Sequence, residues 1–87
     1  MRREADFLKD DEGVLVYIAK KLREAKALEE LLTNSSVDYV VEVDQYVGGF
    51  LFRTARAGAF FYVRADTETL TRELLARNGY RPYEPLE

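Results

Sequence analysis

The stretch Asp38–Asp66, DYVVEVDQYVGGFLFRTARAGAFFYVRAD, holds seven of the chain's eleven aromatic residues and most of its strand-forming sequence, so the rest reads as cover for it. Val40, Val41 and Val43 are β-branched, and Tyr39 and Tyr46 also favour strands. Period-two alternation puts Tyr39, Val41, Val43 and Val47 on one face and Asp38, Glu42 and Asp44 on the other, the pattern of a half-buried strand. Gly48-Gly49 interrupts it as a bulge or turn, and Phe50-Leu51-Phe52 is read as resumed strand. Ala57-Gly58 marks the next turn, and Ala59 to Ala65 forms another strand. There Phe61, Val63 and Ala65 share one face, and Phe60, Tyr62 and Arg64 the other. The stretch predicts an antiparallel hairpin with a long connection.

Working outward, Val14 to Ile18 is a short apolar run of strand formers, with Val14, Val16 and Ile18 on one face and Leu15 and Tyr17 on the other. From Lys20 the period changes. Leu22, Ala25, Leu28, Leu31 and Leu32 follow helical spacing, Lys20–Glu24 and Lys26–Glu30 are opposite charges four apart, and Asn34 is a natural stop. Beyond the central stretch, Asp66 or Thr67 caps a second helix with a buried stripe of Leu70, Leu74 and Leu75. Asn78-Gly79 ends that helix, and a left-handed Gly79 lets Tyr80 fold back on Leu75. Pro82 and Pro85 restrict the segment after Arg81 to an edge strand or a tail. The resulting βαββαβ order predicts an α+β fold, a two-layer ferredoxin-like sandwich with both helices on one face of an antiparallel sheet. It occupies residues 14–87, behind a charged arm, residues 1–13.

At 87 residues the chain is one domain with a modest core, which makes association with a second copy a natural aid. The net charge of −3 disfavours non-specific binding to nucleic acid or anionic membrane. There is no cysteine and no histidine, which excludes disulfides, thiolate chemistry and the commonest general base and metal ligand. Asp10, Asp11 and Glu12 lack the spaced ligands of a cation loop and read as a solvated turn. No cofactor or metal is expected. No apolar run is long enough to span a membrane, and the first thirteen residues lack the apolar core of a signal peptide, so a cytoplasmic protein is expected.

By these phases the face away from the helices carries Leu15, Tyr17, Val40, Glu42, Tyr46, Phe60, Tyr62 and Arg64. An apolar patch on a small acidic domain marks an interaction site. Leu15, Tyr17, Tyr46, Phe60, Tyr62 and Arg64 are its candidate contacts, with a homodimer or an unidentified protein as the partner. The simpler reading is that the chain's own arm or loop covers this face. The alternative is a single-stranded nucleic-acid platform, because strand-borne aromatics stack bases in domains of this order. Glu42 and Asp44 lack the pocket and differing environments of a catalytic pair. Gly48 and Gly49 followed by Arg53 and Arg56 form a possible anion-binding loop, since glycines expose backbone N–H groups and arginines clamp phosphate. The plainer reading is a hairpin loop with solvated arginines.

The strand Val14–Ile18, the helix with Glu24-Ala25, Leu28, Leu31 and Leu32, the segment Val37–Val43 and the run Phe61-Tyr62-Val63-Arg64-Ala65-Asp66 with a helix behind it are similar to pieces of a known family. Over most of Val14 to Gly79 the chain resembles the small bacterial family of prokaryotic signal-transducing proteins, of unknown function. The resemblance implies a ferredoxin-like fold akin to PII regulators and a regulatory or ligand-sensing module that is not an enzyme. It implies no catalytic residues. The family usually has Gly just before the segment matching Val37, where this chain has Ser36.

Overall fold

A computed structural model describes residues 1–4, 8, 13–48 and 54–84; of residues 44–48 and 54–57 it describes the backbone. The elements in chain order are β1 (Arg2–Arg3), β2 (Gly13–Ala19), α1 (Leu22–Asn34), β3 (Tyr39–Gly48), β4 (Thr54–Arg64) and α2 (Glu68–Arg77), with a 3₁₀ turn over Ala65–Thr67. The sheet order is β1-β3-β4-β2. β4 is antiparallel to both its neighbours, and β1 runs parallel to β3, so the sheet is mixed.

The central hairpin is longer and its connection shorter than the sequence predicts. β3 and β4 pair without interruption from Val40↔Tyr62 to Gly48↔Thr54. Ala57 and Gly58 are not a turn: they stand opposite Gln45 and Asp44 inside the ladder. Cross-strand pairing overrides their weak strand propensity. The expected strand Phe50–Phe52 lies outside the described residues.

The two outer strands also differ from the expected βαββαβ order. After α2, residues 80–84 form no strand. The Tyr83 N–H donates to the Val16 carbonyl at 2.7 Å, and the Tyr83 carbonyl accepts from Arg72 Nη1 at 2.6 Å. Pro82 has no N–H to extend that contact into a ladder. At the opposite edge, residues expected to be only a charged arm supply β1. Arg2 and Arg3 pair with Tyr39 and Val40, while Arg3 Nε meets Asp38 Oδ1 at 3.2 Å and Arg2 Nη1 lies 3.5 Å from Glu29 Oε1.

Both helices cover one sheet face. Val16, Ala19, Tyr39, Phe61 and Val63 from the strands are buried with Leu28 and Leu32 of α1 and Leu75 of α2. The stripe of α2 is rotated from the expected one: Leu70 is exposed and Thr71 is fully buried beside Leu75. Thr71 is tolerated there because its Oγ1 donates to the Thr67 carbonyl at 2.8 Å, leaving no unpaired buried hydroxyl. Thr67 stands at the helix start as expected, but its hydroxyl donates to the Arg64 carbonyl and caps no helix N–H.

The helices end in the same way. At α2, Gly79 has φ 85°, its N–H donates to the Ala76 carbonyl, and the Tyr80 N–H donates to the Leu75 carbonyl at 2.9 Å. At α1 the Ser36 N–H donates to the Thr33 carbonyl and the Val37 N–H to the Leu32 carbonyl at 2.9 Å, with Ser36 at φ 60°. The left-handed residue that stops α1 is therefore Ser36 and not Asn34. A side chain in that conformation costs roughly 1–2 kcal/mol, which glycine avoids. Ser36→Gly is expected to stabilise the fold by about 1 kcal/mol and raise the melting temperature by roughly 4–8 °C in calorimetry. An unchanged or lower melting temperature would count against strain at this position.

Candidate functional site

The predicted interaction face is only partly assembled, because β2 carries a bulge. Its pairing steps from Leu15↔Tyr62 to Tyr17↔Phe61, leaving Val16 as the extra residue. Two residues then oppose one, and the alternation beyond them is reversed. Tyr17 consequently faces the helices. Its hydroxyl donates to Glu24 Oε2 at 3.0 Å, and its ring stands edge-on to Tyr80 with centroids 5.5 Å apart. Ile18, expected in the core, pairs with Phe60 and takes Tyr17's place on the other face.

Leu15, Phe60, Tyr62 and Arg64 do share the helix-free face, as predicted, and all four are half-buried. Val40, opposite Tyr62 on the same face, is only 3 % exposed. Part of the cover is Leu8, which lies between β1 and β2 in the chain and sits against Gly13 on the Tyr62 side. A Cβ added to Gly13 would come within 2.5 Å of Leu8 Cδ1 and 3.3 Å of Tyr62 Cβ, so glycine allows this approach. The Tyr46 side chain lies outside the described residues. So do Gly49 and Arg53 of the predicted anion loop, while Gly48 and Arg56 are placed in the β3–β4 ladder by backbone alone.

The structure has a groove on the opposite, helix-bearing face, which the sequence analysis missed. β2 ends at Ala19, opposite Ala59, whereas β3 and β4 run on to Gly48 and Thr54. The chain turns up at Lys20 and Lys21 into α1, leaving the far half of the hairpin without a helix above it. Small residues at the step, Ala19, Gly58 and Ala59, leave an apolar cavity of about 280 Å³. Val41 and Val43 wall it on the β3 side, and Leu22 and Ala25 on the α1 side. Leu22 is 73 % and Val43 74 % exposed, so two large apolar side chains face solvent across one cleft.

The polar residues of the groove are Arg2, Lys20, Lys21 and Glu29. Glu29 is engaged: its Oε1 accepts from the Tyr39 hydroxyl at 3.1 Å and faces Arg2. Burial raises the Tyr39 hydroxyl above the usual tyrosine value, opposed by a hydrogen bond to Thr33 and reinforced by the charge of Glu29. Glu24 accepts the Lys20 backbone N–H at 3.3 Å, not its ammonium, so the expected Lys20–Glu24 ion pair is absent. Neither Lys20 nor Lys21 has an ion-pair partner among the described residues. The groove thus combines an apolar floor with two uncommitted cations at its β2 end. A sequence signal existed in Lys20-Lys21-Leu22, where a leucine at helical spacing follows two lysines, but periodicity assigned Leu22 to the core.

Among the described residues no cluster of three or more potential ligands could hold a metal ion, and no helix is long and apolar enough to cross a membrane. Comparison with protein-family models, with curated proteins and with solved structures finds no match.

Proposed function

We propose that this domain is a small binding module whose groove takes a ligand with an apolar body and one anionic group. The observation that carries the reading is the pairing of exposed Leu22 and Val43 over a small-residue floor with the unpaired Lys20 and Lys21 at its end. Such a site is concave, mostly apolar and oriented by a few polar groups, and its volume lies near the lower end for small-molecule sites. A sensing role of the kind the family resemblance implies is consistent with it. The fold supports it as well, when the order β3-β4-β2 with two helices on one face is read as a reduced ferredoxin-like arrangement whose last strand has shrunk to the Tyr83 contact.

Octanoate and octylamine, equal in chain and opposite in charge, separate the possibilities. Octanoate at one hundred times its dissociation constant is expected to stabilise the fold by about 2.7 kcal/mol, seen as a rise of many degrees in melting temperature. Octylamine is expected to give little, and Lys20→Glu with Lys21→Glu to remove the octanoate shift while leaving the unliganded fold intact. Equal shifts with both ligands, or none with either at millimolar concentration, would refute the reading.

A further inference from the structure

The outer edge of β3 has a second property, independent of the groove's ligand. β1 occupies it only at Tyr39 and Val40. From Val41 to Gly48 the strand pairs with β4 on one side, and no described residue pairs with it on the other. Among the described residues that edge is uncovered, and such an edge presents a row of backbone donors and acceptors ready to receive a strand. The first two positions show what this edge accepts. Arg2 and Arg3 add main-chain pairing, and their guanidinium groups reach Glu29 and Asp38. Beyond them the same edge continues with exposed Glu42 between Val41 and the exposed Val43.

We propose that this edge, Val41 to Gly48, binds an extended segment of a partner protein in which apolar and basic residues alternate, added as a further strand of the sheet. Main-chain hydrogen bonds supply affinity, and alternate side chains supply specificity. The apolar positions lie over Val41 and Val43 at the mouth of the groove, and the basic positions lie on the Glu42 side. A basic segment also suits the net charge of −3. A second copy of this chain is a poorer occupant in the register centred on Val43, because that register sets Glu42 opposite the partner's acidic residue at position 44.

The test uses the whole chain and labelled eight-residue peptides followed by fluorescence anisotropy at low salt. A peptide alternating Val and Lys is expected to bind at least about tenfold more tightly than one alternating Val and Glu. N-methylation of every second residue of the Val–Lys peptide is expected to abolish binding, since it removes the ladder while keeping the charge. Glu42→Lys and Val43→Lys are each expected to weaken binding about tenfold or more, with circular dichroism confirming that both variants fold. Equal binding of the two peptides, or no loss on N-methylation, would overturn the proposal. A concentration-dependent dimer that Val43→Lys dissociates would also overturn it, assigning the edge to a second copy.

Discussion

Phe61→Ala is expected to cost about 3–5 kcal/mol of folding stability, the largest single effect in this domain. Phe61 is fully buried and sits where all layers meet. The bulge sets both Val16 and Tyr17 opposite it, and Tyr39 lies beside it with ring centroids 5.9 Å apart. Removing the ring leaves a cavity that neither bulged residue can fill without breaking the β2–β4 pairing. A domain of this size has roughly 5–10 kcal/mol in all, so the variant is expected to unfold at far lower urea or to lose its dispersed amide spectrum at room temperature. Leu70→Ala makes a fair control, because Leu70 is 59 % exposed and its loss is expected to stay within about 0.5 kcal/mol. A Phe61→Ala loss below 1 kcal/mol would mean that Phe61 is not at the centre of the core.

That centre was legible in the sequence where charge and apolarity alternate. Phe61 and Val63 against Phe60, Tyr62 and Arg64 came out on the correct faces, as did Tyr39, Val41 and Val43 against Glu42. In β2 the reading failed at Tyr17 and Ile18, because Val14-Leu15-Val16-Tyr17-Ile18 is apolar throughout. With no polar residue to mark a face, an extra residue leaves the pattern unchanged while reversing every side chain beyond it. The rotation of α2 was hidden for a related reason: Thr71 enters the core because the Thr67 carbonyl is within reach of its hydroxyl, which spacing alone does not reveal.

The groove and the edge were invisible for a different reason. Both arise from unequal strand lengths, β2 stopping at Ala19 while its neighbours continue. No residue of Gly58-Ala59 marks that step; small residues there matter only because α1 begins above them. Likewise β1 is two arginines in a charged segment, held to β3 by the Tyr39 N–H donating to the Met1 carbonyl and by the ion pairs with Glu29 and Asp38, none of which spacing reveals.

The same displacement of Tyr17 gives the domain a sharp alkaline limit. Burial, then the hydrogen bond to Glu24 and its charge, push the Tyr17 hydroxyl up to about 12 from the usual 10.0. In the unfolded chain that hydroxyl ionises near pH 10, so between pH 10 and 12 the unfolded state holds fewer protons than the native one, and stability falls as pH rises. The contribution of Tyr17 is whole below pH 10 and is lost as the pH climbs through about 12, on the order of 2 kcal/mol in all. Tyr39, raised in the same direction, adds to the fall. Tyr17→Phe keeps the ring against Tyr80 and removes the ionisation. At pH 7 the variant is expected to be about 1 kcal/mol less stable than the wild type, through the lost hydrogen bond to Glu24. By pH 12 the order is expected to reverse. Urea unfolding at intervals from pH 8 to 12 checks the crossing, and tyrosinate absorbance tells whether one hydroxyl ionises only as the fold is lost. Two curves running parallel over that range would place Tyr17 back on the solvent side of the sheet, and with it the alternation that the bulge at Val16 reverses.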